Sequence, residues 1–192
     1  MNEQPLSDHQ LVLRSVVHGD LSELYDLIYS EENPEWKQWD APYYPLERES
    51  YERFELHTYT RLEADQKAAR PDSIRVIEVD GQIVGMISYY IEDPLSMWIE
   101  MGIIIYKPSR WGQGIGTRSL HLWSSHLFEN LPIVRVGLTT WSGNERMIRS
   151  ARKIGMQMEG RLRKCRFVNG EYYDSIRMGM LREEWEQKLS SE

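Results

Sequence analysis

Three observations in this 192-residue chain predict an α/β fold. Segments with the two-residue period of a strand alternate with segments carrying the three-to-four spacing of a helix. Two dipeptides, Asp80-Gly81 and Asn169-Gly170, lie between alternating apolar runs and read as hairpin turns, the second of the type I′ kind. A glycine-rich turn, Trp111-Gly112-Gln113-Gly114-Ile115-Gly116-Thr117, separates the apolar run Ile103-Ile104-Ile105 from a helical segment at residues 120–128.

Taken in order, residues 9–17 alternate apolar and polar with β-branched side chains and predict a first strand. Asp20, with Glu23 three residues on, reads as the N-cap of a helix over residues 21–29 that gathers Leu21, Leu24, Tyr25 and Ile28 on one face. Residues 30–45 form a loop rich in Glu, Trp, Tyr and Pro, and residues 46–69 a highly charged helix cut off by Pro71. Strands at 74–79 and 82–90 flank Asp80-Gly81, and the next strand, 97–106, stops at Pro108. After the glycine turn and its helix, Pro132 introduces a strand whose Val134, Val136 and Leu138 face one way while Arg135 and Thr139 face the other. A helix over 144–154 is closed by Gly155, and strands at 161–168 and 171–180 flank Asn169-Gly170. The predicted order is β-α-α-β-β-β-α-β-α-β-β, about seven strands and about four helices.

Length, charge and cysteine count narrow the classes. The chain fits one domain, residues 1–192, with no repeat or linker. No apolar run is long enough to span a bilayer, and residues 1–5 lack the basic and apolar regions of a signal peptide. One cysteine, Cys165, cannot make an internal disulfide, which with the missing leader predicts a cytoplasmic protein. A net charge of -7 speaks against nucleic-acid binding and suits a cationic partner. His121 and His126 are five apart and so do not share a helix face, and no metal is expected.

A strand that runs into a glycine turn and then a helix is a ready site for a phosphate, or else an ordinary tight loop. Glycine lets backbone approach a ligand closely, and the first N–H groups of a helix point at it together with the helix dipole. The spacing rules out two common phosphate turns. A dinucleotide fingerprint would need a third glycine where Thr117 stands, and a P-loop would need a Gly-Lys-Ser/Thr ending that is absent. What remains, Trp111-x-x-Gly114-x-Gly116, resembles the acetyl-CoA motif Gln/Arg-x-x-Gly-x-Gly/Ala of the GNAT N-acetyltransferases. Tryptophan at its first position is similar to the branch with ribosomal-protein N-terminal and spermidine acetyltransferases. A second motif, Asn144-Glu145-Arg146-Met147-Ile148 with Lys153-Ile154-Gly155-Met156, resembles the family's Asn-x-x-Ala/Ser-Ile and Lys-Leu-Gly-Phe, and Glu159-Gly160-Arg161-Leu162-Arg163 resembles the Glu-Gly-x-x-Arg that follows. The likeness covers about residues 9 to 182 and implies a mixed, bent central sheet with helices on both faces.

That resemblance also implies roles. The pantetheine arm of acetyl-CoA would lie along Ile103, Ile104 and Ile105, and the pyrophosphate on the amides of Trp111, Gly112, Gln113, Gly114, Ile115, Gly116 and Thr117, with Arg110 or Arg118 adding charge. Asn144 would cap its helix and contact the pantetheine. Glu100, in the otherwise apolar run Met97-Trp98-Ile99-Glu100-Met101, occupies the position of the base in several members; it could equally be a strand carboxylate that faces solvent or binds the acceptor. The family's thiolate-protonating tyrosine is replaced by Ala151, so no acid is assigned. Glu32, Trp36, Trp39 and Tyr43, in an acidic and aromatic loop, would bind a cationic acceptor by charge and cation–π attraction, or else form an acidic solvated loop with anchoring aromatics. The expected function is acetyl transfer from acetyl-CoA to a primary amine by direct attack in a ternary complex, in a homodimer by family resemblance. The acceptor would be a polyamine, a protein N-terminus or another small amine. The alternative is a catalytically silent CoA-binding regulatory module.

Overall fold

The computed structural model describes residues 4–190, so most of residues 1–5, read above for a signal peptide, and residues 191 and 192 fall outside the described residues. Eight strands form one open sheet in the order β1-β2-β3-β4-β5-β6-β8-β7. They are β1 (Leu6–Asp8), β2 (Leu11–Ser15), β3 (Ile74–Val79), β4 (Gln82–Asp93), β5 (Trp98–Ile105), β6 (Arg135–Trp141), β7 (Gln157–Val168) and β8 (Glu171–Leu181). Five helices accompany them: α1 (Leu21–Tyr29), α2 (Tyr51–Lys67), α3 (Ile115–Asn130), α4 (Glu145–Lys153) and α5 (Arg182–Leu189). Among the described residues no helix is long and apolar enough to cross a membrane.

The sheet separates two cores. Val136, Leu138, Ile99 and Met101 join Trp123, Leu127 and Phe128 of α3, Ala151 of α4 and Trp185 of α5 in the larger one. Val76, Ile83 and Tyr106 join Leu21 and Leu24 of α1, Phe54 of α2 and Trp36 of the loop between them in the smaller one. Alternate side chains of β3, β4 and β5 therefore serve opposite layers, as the period of two requires. Both glycine hairpins form as expected, with φ of +52° and +73° at Asp80 and Gly81 and +49° and +85° at Asn169 and Gly170. Gly155, at φ +105°, ends α4, and its N–H and that of Met156 close the carbonyls of Arg152 and Ala151.

Four expectations are corrected. The first strand is a hairpin, β1 and β2 paired Leu6↔Leu13 and Asp8↔Leu11, because His9 turns the chain at φ +53°, a conformation histidine tolerates without glycine's signal. The second helix starts only at Tyr51, where the Ser50 hydroxyl accepts the Arg53 N–H. Asp20 makes no side-chain cap to α1; its carboxylate takes both guanidinium nitrogens of Arg14 at 2.7 and 2.9 Å and the Val17 N–H at 2.8 Å. The fifth helix, α5, is short, and tertiary contact holds it: Trp185 stacks on Phe128 at 5.1 Å and donates to Ser125 Oγ.

Nearly all neighbouring strands are antiparallel, but β5 and β6 run parallel and register through two pairs only, Ile99↔Val136 and Glu100↔Gly137. Beyond Glu100 they part. That gap positions everything that follows.

The buried Arg14–Asp20 pair gives a stability prediction. Burial pushes the Asp20 carboxyl up, but the hydrogen bonds from Arg14 and the Val17 amide outweigh it and leave its pKa below the ordinary carboxylate value. A depressed folded pKa contributes stability above the unfolded value of about 4, lost as pH falls through the folded one. Asp20→Asn is expected to lose roughly 1–3 kcal/mol at pH 7 by urea unfolding, and the gap from wild type should close in acid.

Candidate functional site

The parting strands leave main-chain groups unpaired. Tyr106 N–H bonds to the Val84 carbonyl at 2.9 Å, so the alternation of the antiparallel ladder turns Ile104 and Gly102 toward β4 and Met101, Ile103 and Ile105 toward the gap. Of the three isoleucines, Ile103 thus offers both its N–H and C=O. Ile105 offers only N–H, because the Trp111 indole donates to its carbonyl at 2.9 Å. Ile104 contributes its side chain alone. The gap widens into a cleft of about 640 Å³ lined by all three isoleucines, the glycine turn, β6 beyond Thr139, α4 and the loop before α2.

At one end stands the glycine turn. Gly112 and Gly114 hold φ of +76° and +77°, which the turn itself demands, and Gly114 caps α3. Gly116 is different: its φ is helical, and a Cβ there would meet nothing within 4 Å. The fold does not require glycine at 116, and its missing side chain leaves open space in the cleft wall. The N–H groups of Ile115, Gly116 and Thr117 are the first three of α3 and have no acceptor within the helix. Trp111, Gly112 and Gly114 line the cleft with them, whereas Gln113 turns its amide back to the Ser109 carbonyl.

The cations at this end are mostly not those expected. Arg118 points away and is held by the carboxylate and carbonyl of Asp8 in β1. Arg110 lines the cleft while also pairing with Asp80 at 3.2 Å. Arg146, Arg149 and Lys153, missed by sequence reasoning, face the cleft from α4 together with Ser150. Their spacing of three, four and seven residues is the signal that would have found them. Asn144 caps α4 through the Met147 N–H at 3.1 Å and gives its amide to the Trp39 carbonyl at 2.9 Å. Ala151 is fully buried in the larger core, and the neighbouring hydroxyl in the cleft wall is Ser150, bonded to Thr117 at 3.1 Å.

Glu100 stands at the point where β5 and β6 part. It is only 1 % exposed and does not line the cleft. Its neighbours are polar, not apolar as the local sequence indicated. It accepts from the Trp98 indole at 3.0 Å and from Thr139 at 3.1 Å, and pairs with Arg135 at 3.5 Å and Arg177 at 3.8 Å. Trp98 is two residues away on β5, but Thr139 and Arg135 come from β6 and Arg177 from β8, so no window of sequence around Glu100 contains those three. Gly137 makes room: a Cβ there would stand 2.3 Å from Glu100 Oε1.

The loop before α2 forms a further wall, with Trp39 edge-on to Trp111 of the glycine turn at 6.3 Å. Trp36, Trp39, Asp40 and Tyr43 line the cleft; Glu32 does not, and Glu31 and Glu35 face a separate recess with Glu23 and Asp26. The aromatic faces expected to receive a cationic acceptor are taken by the chain's own arginines. Arg146 lies 4.4 Å over Trp39 and 5.2 Å over Trp111, and Arg166 lies 4.4 Å over Tyr43. Asp40 is the one carboxylate among the described lining residues. Although 47 % of its side chain is exposed, the surrounding protein withholds enough water to raise its pKa, against the opposing pull of Lys37.

Comparison with known proteins follows from this geometry. Over 110 residues the chain is 36 % identical to an uncharacterised N-acetyltransferase of a Bacillus subtilis prophage, covering 57 % of this chain and 62 % of that protein. Over 103 residues it is 33 % identical to spermidine N(1)-acetyltransferase of Escherichia coli, covering 54 % and 55 %. The chain therefore spans less than two thirds of the length of these curated relatives. Among solved structures, a ribosomal L7/L12 alpha-N-protein acetyltransferase in complex with coenzyme A superposes with a TM-score of 0.74 at 21 % identity, over 93 % of this chain and 98 % of that one. A spermidine N-acetyltransferase from Vibrio cholerae in complex with CoA and spermine does so with a TM-score of 0.70 at 22 % identity, over 93 % and 99 %. The family model described as an acetyltransferase (GNAT) domain matches residues 10–157, more than half of the sequence, and the chain belongs to the GNAT acetyltransferases.

Proposed function

We propose that the protein transfers an acetyl group from acetyl-CoA to a primary amine, by direct attack within a ternary complex. The observation that carries this reading is the division of charge along the cleft. Arg110, Arg146, Arg149 and Lys153 line the cleft with the free amides of α3, and Asp40 of the aromatic loop is the one carboxylate among the described lining residues. A diphosphate fits the cations and amides by charge-assisted hydrogen bonds and the helix dipole. An ammonium group fits the carboxylate. Between them, the open carbonyl of Met101 and the open N–H and C=O of Ile103 can pair with the amides of a pantetheine arm as a further strand would. An open N–H there is also a donor for the thioester oxygen as negative charge develops on it.

The reaction needs no covalent enzyme intermediate. The neutral amine's lone pair forms the C–N bond, the C–S bond breaks with its electrons on sulfur, and the proton lost by nitrogen balances the CoA thiol. Holding the two reactants together supplies much of the acceleration. One carboxylate in the cleft suits one ammonium as it enters, which releases its extra proton to solvent before the neutral amine attacks. The remaining acidic side chains of the loop lie outside, so the net negative charge of the loop is not itself an argument for a polycation within the cleft.

Two outcomes test the reading. Gly116→Ala is expected to keep or slightly raise thermal stability, since alanine is the better helix former by up to about 1 kcal/mol. The same change should weaken CoA binding about tenfold or more by calorimetry, because the added methyl fills the ligand's approach. Asp40→Asn should raise the amine KM by roughly tenfold, about 1.4 kcal/mol, with CoA affinity unchanged. In the wild type that KM should climb on acidification at a pH above the ordinary carboxylate range, since the Asp40 pKa is raised; the Asn variant should lack that climb in initial-rate assays.

A further inference from the structure

The proposed reaction leaves open which group meets the amine beside the thioester. We infer that Thr139 does so, accepting a hydrogen bond from the amine N–H through Oγ1, and that Glu100 acts through Thr139 to fix its orientation. The inference rests on the reading above and adds a residue to it. Glu100 is sealed from the cleft, whereas Thr139 forms part of the wall. Thr139 lies on β6 two residues beyond Gly137, the last residue of that strand registered with β5. It therefore stands at the mouth of the gap, across from the open carbonyl of Met101.

The polarity of its hydroxyl follows from its partners. A threonine hydroxyl has one proton to donate and two lone pairs to accept with. Arg177 approaches Oγ1 at 2.6 Å, and a guanidinium can only donate, so one lone pair is taken. The single O–H must then serve Glu100 Oε2 at 3.1 Å. One lone pair remains, and neither neighbour can use it. Glu100 is in turn pinned by the Trp98 indole and by Arg135, across a glycine whose Cβ would collide with it. Arg135 is shared with Glu159 at 2.6 Å, and a Cβ on Gly179 would collide with that carboxylate too. Three strands thus hold one hydroxyl so that its free lone pair serves a donor arriving in the cleft. A neutral amine that gives one N–H to Oγ1 has its own lone pair directed elsewhere, toward the thioester carbon. Glu100 takes no proton in this account, and both residues end the cycle as they began it.

The test uses the full chain with acetyl-CoA and two amines, spermidine and a glycyl tripeptide with a free N-terminus, read by thiol release. CoA affinity is measured separately by calorimetry, and folding by thermal melts. Thr139→Val keeps the shape of threonine and removes the hydroxyl. It should lower kcat/KM for the amine 30-fold or more with CoA affinity within twofold of wild type, and Thr139→Ser should restore kcat/KM to within about threefold. Glu100→Gln sets an amide NH2 against the Trp98 and Arg135 donors or against Thr139, so it should lower kcat/KM in the same direction as Thr139→Val, with the pH profile of kcat/KM unmoved. An active Thr139→Val overturns the inference. So does a Glu100→Gln variant that folds and binds CoA but loses activity together with one limb of the pH profile, since that marks Glu100 as the base. If the wild type binds CoA but releases thiol with neither amine, the proposed function fails and the role of Thr139 fails with it. If it binds no CoA, the fault lies in the cofactor reading itself.

Discussion

The separation of β5 from β6 after two registered pairs is the constraint on which this molecule depends. A parallel pair inside a sheet normally saturates its main-chain groups, and leaving them open costs about as much as the lost hydrogen bonds. Here the surrounding strands carry that cost. β4 holds β5 along its whole length, and β8 holds β6 from Arg135 to Trp141. The two halves of the sheet are therefore rigid on either side of an opening that a ligand's own amides can complete. Glu100 and Gly137 stand at the apex, where a buried carboxylate crosses a strand that has no side chain to obstruct it.

Electrostatics divides labour around that opening. The turn before α3 and the basic face of α4 meet at the Thr117–Ser150 hydrogen bond, so the free amides and the cations converge on one end of the cleft. The aromatic loop is tied down by contacts within the chain. The Trp39 carbonyl accepts from both the Asn144 amide and the Trp141 indole, while its ring carries Arg146. Arg146 also reaches Trp111 in the glycine turn. One side chain therefore links the aromatic loop to the glycine turn.

Much of this was legible in the sequence, where local rules decide the outcome. Asp80-Gly81 and Asn169-Gly170 could hardly do anything but turn, and the strand, glycine turn and helix around Gly112 to Thr117 follow from backbone geometry that only glycine supplies easily. The motif likewise marks Asn144, which caps α4. Legibility fails wherever the partner is distant in sequence. Glu100 reads as a carboxylate in an apolar run, yet its partners Arg135, Thr139 and Arg177 arrive from other strands. Arg118 looks like a phosphate ligand until Asp8 claims it. The aromatic residues of the loop look free for a cation until Arg146 and Arg166 occupy their faces. In each case a charge was assigned to a ligand that the fold had already given to a neighbour. His9 and α5 were missed for a different reason: one turns without glycine, and the other is held by Trp185 more than by its own periodicity.

The central claim is that an opened strand edge, a glycine turn and four cations form one site for coenzyme A. Calorimetric titration of the full chain with CoA, with pantetheine and with NAD tests it most directly. The account predicts one-to-one binding of CoA that weakens as salt rises, a much weaker signal from pantetheine, which lacks the diphosphate, and none from NAD. Absence of CoA binding, or equal affinity for NAD, would contradict it.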